Sequence, residues 1–440
     1  MNWIIREVRI LTPSGEIEGD AWIREGRWAA VGQVPDSARG LTIEGKGRYL
    51  LPGLIDTHVH FRDLGLSHKG TFYTESRAAV AGGVTTAFDM PNTSPPTTTL
   101  RRWEEKMHYV SQRSWTNYAL YFGATEHNLP EIRLLDPHRV PGVKVFLASS
   151  TGDLLVTDEA YVRQLMKESP VRLVFHSEKE SLIRAAHAQW AEVEWETMPD
   201  LHTRLRPPEA CIESTRWLLR EATDSSVPVH ILHITTGEEV QLLRHRPASV
   251  SAETCPIYLQ WSSEDFSTYK HLLKCNPALK SSADREMLWQ GLIEGTLEVV
   301  GTDHAPHLWT EKMRPYPEAP SGAPAHGYLL PWLWTMGRAR GLSLSFWVEK
   351  MVYAPVRIWR IKERGAIQEG NWADGVLFAP EEETPVPAPL APQHYSRVAW
   401  SPLSGFTLQG RVKAVWVNGQ LSFYNGYFHG APAGQPVVFG

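Results

Sequence analysis

The sequence predicts an α/β protein: a (β/α)8 TIM-type barrel with a small β-sandwich domain built from both termini. Three observations lead there. Eight short apolar runs alternate with helical segments through the middle of the chain. Both ends are β-rich and punctuated by glycine. Polar residues able to do chemistry recur where the apolar runs finish. Continuous apolar strands alternating with helices indicate a parallel sheet covered on both faces, and eight of them close a barrel.

In chain order, "WIIREVRIL", "GDAWIREGRWAAVG" and "LTIEGKGRYLLPG" read as short strands and tight turns. The barrel strands are expected at 53–60, 84–90, 118–124, 142–149, 171–178, 227–235, 250–259 and 297–307. "TFYTESRAAVAGG", "DEAYVRQLMKES", "EACIESTRWLLREAT" and "GEEVQLLRHR" supply helices between them. A long Pro/Gly-rich connection, 307–330, follows the eighth strand; it either borders a site at the barrel rim or is a plain surface connection. "GNWADGVLF", "GRVKAVWVNGQL" and "SFYNGYFHG" return to strand character, interrupted by a Pro-rich surface loop at 381–393. The expected division is 1–52 with 355–440 for the small β domain, and 53–354 for the barrel. Chain ends often lie close together in a domain.

Composition narrows the function classes. The 440 residues carry a formal net charge of −5, with 42% hydrophobic and 21% charged residues. That is ordinary for a soluble globular chain and offers no basic face for nucleic acid. Three cysteines without a CxxC pair argue against a disulfide framework and fit a reducing compartment. The N-terminus lacks the pattern of a signal peptide, and no apolar run reaches the length of a membrane span. The expectation is a cytoplasmic protein. The 18 tryptophans are read as packing residues.

The chemistry begins in "GLIDTHVHFRDLG" (53–65). Residues i and i+2 of a strand point the same way, so His58 and His60 project together from its end. Two neutral imidazoles on one side can share a metal, although an HxH alone is equally compatible with a structural pair. Other polar residues fall at the ends of other strands: Asn92, His176, His233, Asn276, Asp303 and His307, with Lys144 inside the fourth strand. Such a set converging on one rim is improbable as core filling, because each would bury an unsatisfied polar group. By alternation, only one of Asp303 and His304 faces the site; the choice is Asp303, whose carboxylate can hold a metal and take a proton. His230 is read as structural, and His68, His108, His127, His138, His187, His202 and His245 as surface or loop residues. Lys144 either snorkels to the rim or, costly as a buried cation, is neutralised by CO₂ to a carbamate able to bridge two metals.

Taken together, "DTHVHFRD", "AGGVTTAFDMPNT", "GVKVFLASSTG", "HSE", "HITT", "KCNPALK" and "GTDHAPH" resemble the amidohydrolase superfamily, and within it the dihydroorotases. The resemblance spans nearly the whole chain. It implies two Zn²⁺ ions bridged by carbamylated Lys144 and a hydroxide. His58, His60 and Asp303 would hold one ion, and His176 and His233 the other. It implies Arg62, Asn92 and His307 on the substrate α-carboxylate and Asn276 on a ring amide. Asp303 would be the general base and acid. The implied reaction is reversible hydrolysis of (S)-dihydroorotate to N-carbamoyl-L-aspartate in pyrimidine (UMP) biosynthesis. A homodimer or homotetramer and association with a transcarbamoylase are further expectations of the resemblance.

The chain departs from many relatives at Leu64, where they carry Pro, and at Ile257, where they carry His or another polar residue. Asp153 is the nearest substitute should the bridge not be Lys144. Two other readings compete. A dihydropyrimidinase, hydantoinase or allantoinase would keep the chemistry and take a neutral ring, leaving Arg62 without a carboxylate to hold. An inactive scaffold relative would have lost ligands, whereas here every ligand position is filled.

Overall fold

The structure is a computed structural model that describes residues 1–150, 154–193, 198 and 200–440. Among the described residues, eight parallel barrel strands lie where the apolar runs predict them. They are Leu54–Val59, Val84–Asp89, Asn117–Leu120 continued by Phe122–Gly123, Val143–Phe146, Leu173–His176, Val229–Ile231, Val250–Thr254 and Val299–Val300. Neighbours pair in sequence order, and every pair is parallel. Tyr121 carries the third strand from one neighbour to the other: its N–H donates to Asp89 O, and the next N–H, of Phe122, donates to Gly142 O. The ring closes where Val59 bridges His304 in parallel and His60 N donates to His304 O at 2.8 Å.

The strands are shorter than the apolar runs suggest, and in the last two the chain shows why. The seventh stops at Thr254, and Pro256–Gln260 is a short helix. Pro256 has no N–H for a ladder but suits the first turn of a helix. The eighth pairs only at Val299–Val300, and "GTDHAPH" leaves the ladder as a loop. All four expected helical segments are helices. Phe72–Ala81 starts at Thr71 and Gly237–Leu243 at Thr236, both with reciprocal capping boxes, and Asp158 caps Glu159–Glu168. Pro208–Ala222 opens with proline in its first turn.

The termini build one nine-stranded sheet. Its halves join where Gly375–Phe378 runs antiparallel to Tyr49–Pro52. Trp3, Ile5, Ile10, Ile23, Trp28, Leu50, Leu377 and Trp416 form a core separate from the barrel core. The 381–393 stretch differs from expectation: Gly375–Pro385 is one strand, and Glu383, Thr384 and Pro385 pair with Gln409, Leu408 and Thr407. Exposure alternates there because one face of an antiparallel strand can remain in water. No described helix is long and apolar enough to cross a membrane.

Candidate active site and metal centre

One cleft at the C-terminal ends of the barrel strands is lined by His58, His60, Arg62, Asn92, Lys144, His176, His233, Asn276 and Asp303, together with Phe146, Ser150, Ser321 and Gly322. Every site residue expected from the sequence is therefore on its wall except His307, which stands behind Arg62 with Nε2 3.0 Å from Arg62 Nη2. Three of these residues leave their strands through the left-handed region, Arg62 at φ 70°, His233 at φ 38° and Asp303 at φ 50°. Non-glycine residues held there are strained, and such strain gathers at functional sites.

The imidazole protons can be assigned from the bonding network. His58 Nδ1 lies 2.6 Å from Glu253 Oε1 and His60 Nδ1 2.8 Å from Asn92 Oδ1. Each Nδ1–H is the donor, because the partners are acceptors. Both Nε2 lone pairs then face Asp303 Oδ1, at 3.3 Å from His58 and 3.0 Å from His60. Three acceptors converge with no proton between them, and their ligand atoms lie within 4.8 Å of one another. Two ligand atoms on a tetrahedral Zn²⁺ are separated by about 3.3 Å. The donor set fits a divalent cation.

A second group lies alongside. His176 Nε2 donates to Glu178 Oε2 at 2.7 Å, which turns its bare Nδ1 toward His233 Nε2, 3.0 Å away. His233 Nδ1 is buried without a hydrogen-bond partner among the described residues. The His58 and His233 ring centroids are 5.4 Å apart, so the two groups share one chamber. Between them Lys144 is 1% exposed. Among the described residues its Nζ has neither an ion pair nor a hydrogen-bond acceptor; it lies 4.6 Å from the Phe146 ring centroid. Burial pushes this amine down to about 7, against the pull of Asp303 and Glu253. Burial would raise the Asp303 carboxyl, but His58 and His60 more than offset it and hold it well below the usual range.

Arg62 is 3% exposed. Burial lowers it to about 10, so it remains a cation at neutral pH. Its Nε donates to Pro306 O at 3.1 Å. Among the described residues no carboxylate lies within 4 Å of the guanidinium. On the far side of Asp303, His304 turns away from the cleft as alternation predicts, with Nε2 3.0 Å from Glu75 and its ring stacked on His326.

Residues 49–422 match the amidohydrolase family. The chain belongs to the amidohydrolase family. An allantoinase of Streptomyces avermitilis is 32% identical over 97% of this chain and 96% of its own length. A dihydroorotase of Pyrococcus abyssi is 31% identical over 89% of this chain and 88% of its own. The solved L-hydantoinase (dihydropyrimidinase) of Arthrobacter aurescens superposes with a TM-score of 0.92, at 27% identity and 99% coverage of both chains.

Sequence reasoning missed several residues of this amidohydrolase's site. Glu253 and Glu178 fix the tautomers of His58 and His176. A charged residue inside an apolar strand, the signal that marked Lys144, also marked Glu253 in "VSAETC". Gly301 makes room for it, since a Cβ there would lie 2.6 Å from Glu253 Oε2. Arg206 pairs with Glu178 from a distant segment, and no local pattern announces it. His202, read as a surface or loop residue, is instead buried on the helix Leu201–Leu205 with Nε2 2.9 Å from Cys275 O; its neighbours come from distant parts of the chain. His230 is buried and lies 3.3 Å from Glu253, supporting the carboxylate that orients His58. Ile257 packs in the hydrophobic core, off the cleft wall. Asp153 lies outside the described residues. The 307–330 connection does border the cleft, through Ser321 and Gly322.

Proposed function

We propose that this amidohydrolase is a dihydroorotase, opening (S)-dihydroorotate to N-carbamoyl-L-aspartate and closing it again. The observation that carries the reading is Arg62: a buried guanidinium on the cleft wall, beside the candidate metal-ligand cluster, with no carboxylate within 4 Å among the described residues. An unpaired buried charge is costly. A ring bearing a carboxylate relieves that cost with a charge-assisted, fork-shaped contact; a neutral ring leaves it in place.

His58, His60 and Asp303 would hold one Zn²⁺, His176 and His233 a second, and carbamylated Lys144 would bridge them. When bound, such a pair makes water acidic enough to react near neutral pH and polarises the amide carbonyl. The chain's own residues do the rest. Arg62 holds the substrate carboxylate, with His307 behind it. Asn92, on the same cleft wall, shares the carboxylate, and Asn276 holds the ring amide. Hydrolysis breaks the ring C–N bond, adding a hydroxyl to carbon and a proton to nitrogen. Asp303, ionised and central, takes the proton from water and delivers it to the leaving nitrogen.

The allantoinase relative is about as similar in sequence, so substrates must decide. The zinc-loaded protein is expected to turn over dihydroorotate faster than allantoin, hydantoin or dihydrouracil. Arg62→Met should raise KM for dihydroorotate about 100-fold, the loss of a charge-assisted contact of ~3 kcal/mol. Faster turnover of allantoin by the unaltered protein, or an unchanged KM in Arg62→Met, would sink the assignment.

A further inference from the structure

Lys69 stands in the loop between the first barrel strand and the helix Phe72–Ala81, with its side chain only 13% exposed. Its Nζ lies 3.0 Å from His307 Nδ1 and 3.1 Å from Glu311 Oε1. An ammonium group only donates, so His307 Nδ1 must accept. Burial and the nearby cations Arg62, Lys69 and Lys312 hold this imidazole neutral, well below its ordinary pKa. A neutral ring has one proton; Arg62 Nη2, also only a donor, would by the same rule make Nε2 an acceptor, but the Ser321 carbonyl beside Nε2 can only accept and assigns the proton to Nε2. There it donates to Ser321 O at 3.0 Å.

This has a consequence for Arg62. Its Nη2 is 3.0 Å from the same Nε2. Two N–H groups face each other, and neither can accept. Apart from that ring, among the described residues the guanidinium bonds Pro306 O alone, through Nε. With the proton on Nδ1 instead, Nε2 would accept from Arg62 and satisfy it inside the protein. That alternative proton would need Glu311 to move closer, since its Oε2 lies 3.9 Å from Nδ1, beyond hydrogen-bond distance, and accepts from Leu308 N at 3.0 Å. Lys69 occupies the position between the two outcomes. Its charge is compensated by Glu311, so its leverage is on the tautomer rather than on the net field.

We infer that Lys69 is a specificity-determining positioning residue: by fixing His307 as the Nε2–H tautomer, it denies Arg62 an internal acceptor and reserves the guanidinium for an anionic substrate. The identity of that anion, a ring carboxylate, rests on the dihydroorotase reading; the tautomer does not.

The test uses the full-length, zinc-loaded protein labelled with ¹⁵N-histidine, with the His307 ring assigned by its loss in His307→Gln. The unaltered protein should show a bare Nδ1 and a protonated Nε2. Lys69→Met should move the proton to Nδ1 and raise KM for dihydroorotate about tenfold, with a far smaller change in kcat. Lys69→Arg, which keeps a charged donor, should restore both and guards against a folding defect in the first variant. A protonated Nδ1 in the unaltered protein, or a Lys69→Met variant retaining both tautomer and KM, overturns the inference. Should the unaltered protein ignore dihydroorotate, the substrate reading fails, and the ring spectra alone still decide the role of Lys69.

Discussion

Lys144 lies between Val143 and Val145 with its amine turned into the chamber between the two histidine groups. Burial brings this amine down to about 7, so a substantial share is neutral at physiological pH, and the neutral amine is the form that attacks CO₂. A carbamate formed there would carry a negative charge where a buried ammonium would repel metal. Lys144→Ala is therefore expected to lower bound zinc from about two ions per chain to one or fewer, read by elemental analysis. A full complement of zinc with undiminished turnover would exclude the carbamate. Arg62 and Lys144 share one property: each is a buried basic group on the cleft wall with no carboxylate within 4 Å among the described residues. Lys106 bonds Asp89 at 2.6 Å, and Lys274 and Lys312 direct their N–H groups to backbone carbonyls, whereas Arg62 and Lys144 face the cleft.

At the scale of elements, the long connection after the eighth strand is shaped by two more buried lysines. Lys312, at the end of the short helix Trp309–Lys312, donates to the carbonyls of Pro320 at 2.9 Å, Gly322 at 3.0 Å and Lys274 at 3.3 Å. Lys274 donates to Pro317 and Ala319 at 2.9 and 2.6 Å. Together they pin the segment that carries Ser321 and Gly322 into the cleft. Burial lowers Lys312 to about 7 and Lys274 to about 8. Unfolded lysines titrate near 10.4. Between about pH 7 and 10 these two side chains therefore bind more protons in the unfolded chain than in the native one, and their contribution to stability rises with pH across that window. Lys312→Met removes up to one proton from that difference, so its urea midpoint should climb less steeply with pH. An identical slope in the variant would show that Lys312 keeps its proton in the native state.

The whole molecule is held together at a buried polar junction between barrel and terminal sheet. Asp374 accepts from Arg364 Nη1 at 2.6 Å, from Asn117 Nδ2 at the start of the third barrel strand at 3.0 Å, and from Asn418 N at 2.8 Å. Arg364 Nη1 also reaches Asn418 Oδ1, and Asn418 Nδ2 returns to Asn117 Oδ1. Asp374→Ala would leave Arg364 buried without its carboxylate, a loss of roughly 3–5 kcal/mol. The expected readout is a fall in the thermal midpoint of barrel and terminal sheet together, followed by tryptophan fluorescence and circular dichroism. Separate transitions, with the barrel midpoint unmoved, would show that the junction does not couple them.

Local pattern made much of this legible. Hydrophobic period alone placed the barrel strands and helices, because a side chain buried on both faces must be apolar whatever surrounds it. The candidate metal ligands stood out because a polar group at the end of an apolar run needs a reason. Pro256 ended a strand that periodicity extended too far, a purely local effect that the apolar composition concealed. His202, Glu178 with Arg206, and Lys69 with His307 were not legible, since their meaning lies in partners far along the chain. The sequence by itself determined which polar side chains line the cleft and the order in which strands present them. Only the tertiary structure decided which nitrogen of each histidine bears its proton and which cation is left unpaired, because those depend on distances of about 3 Å between groups that the chain keeps far apart.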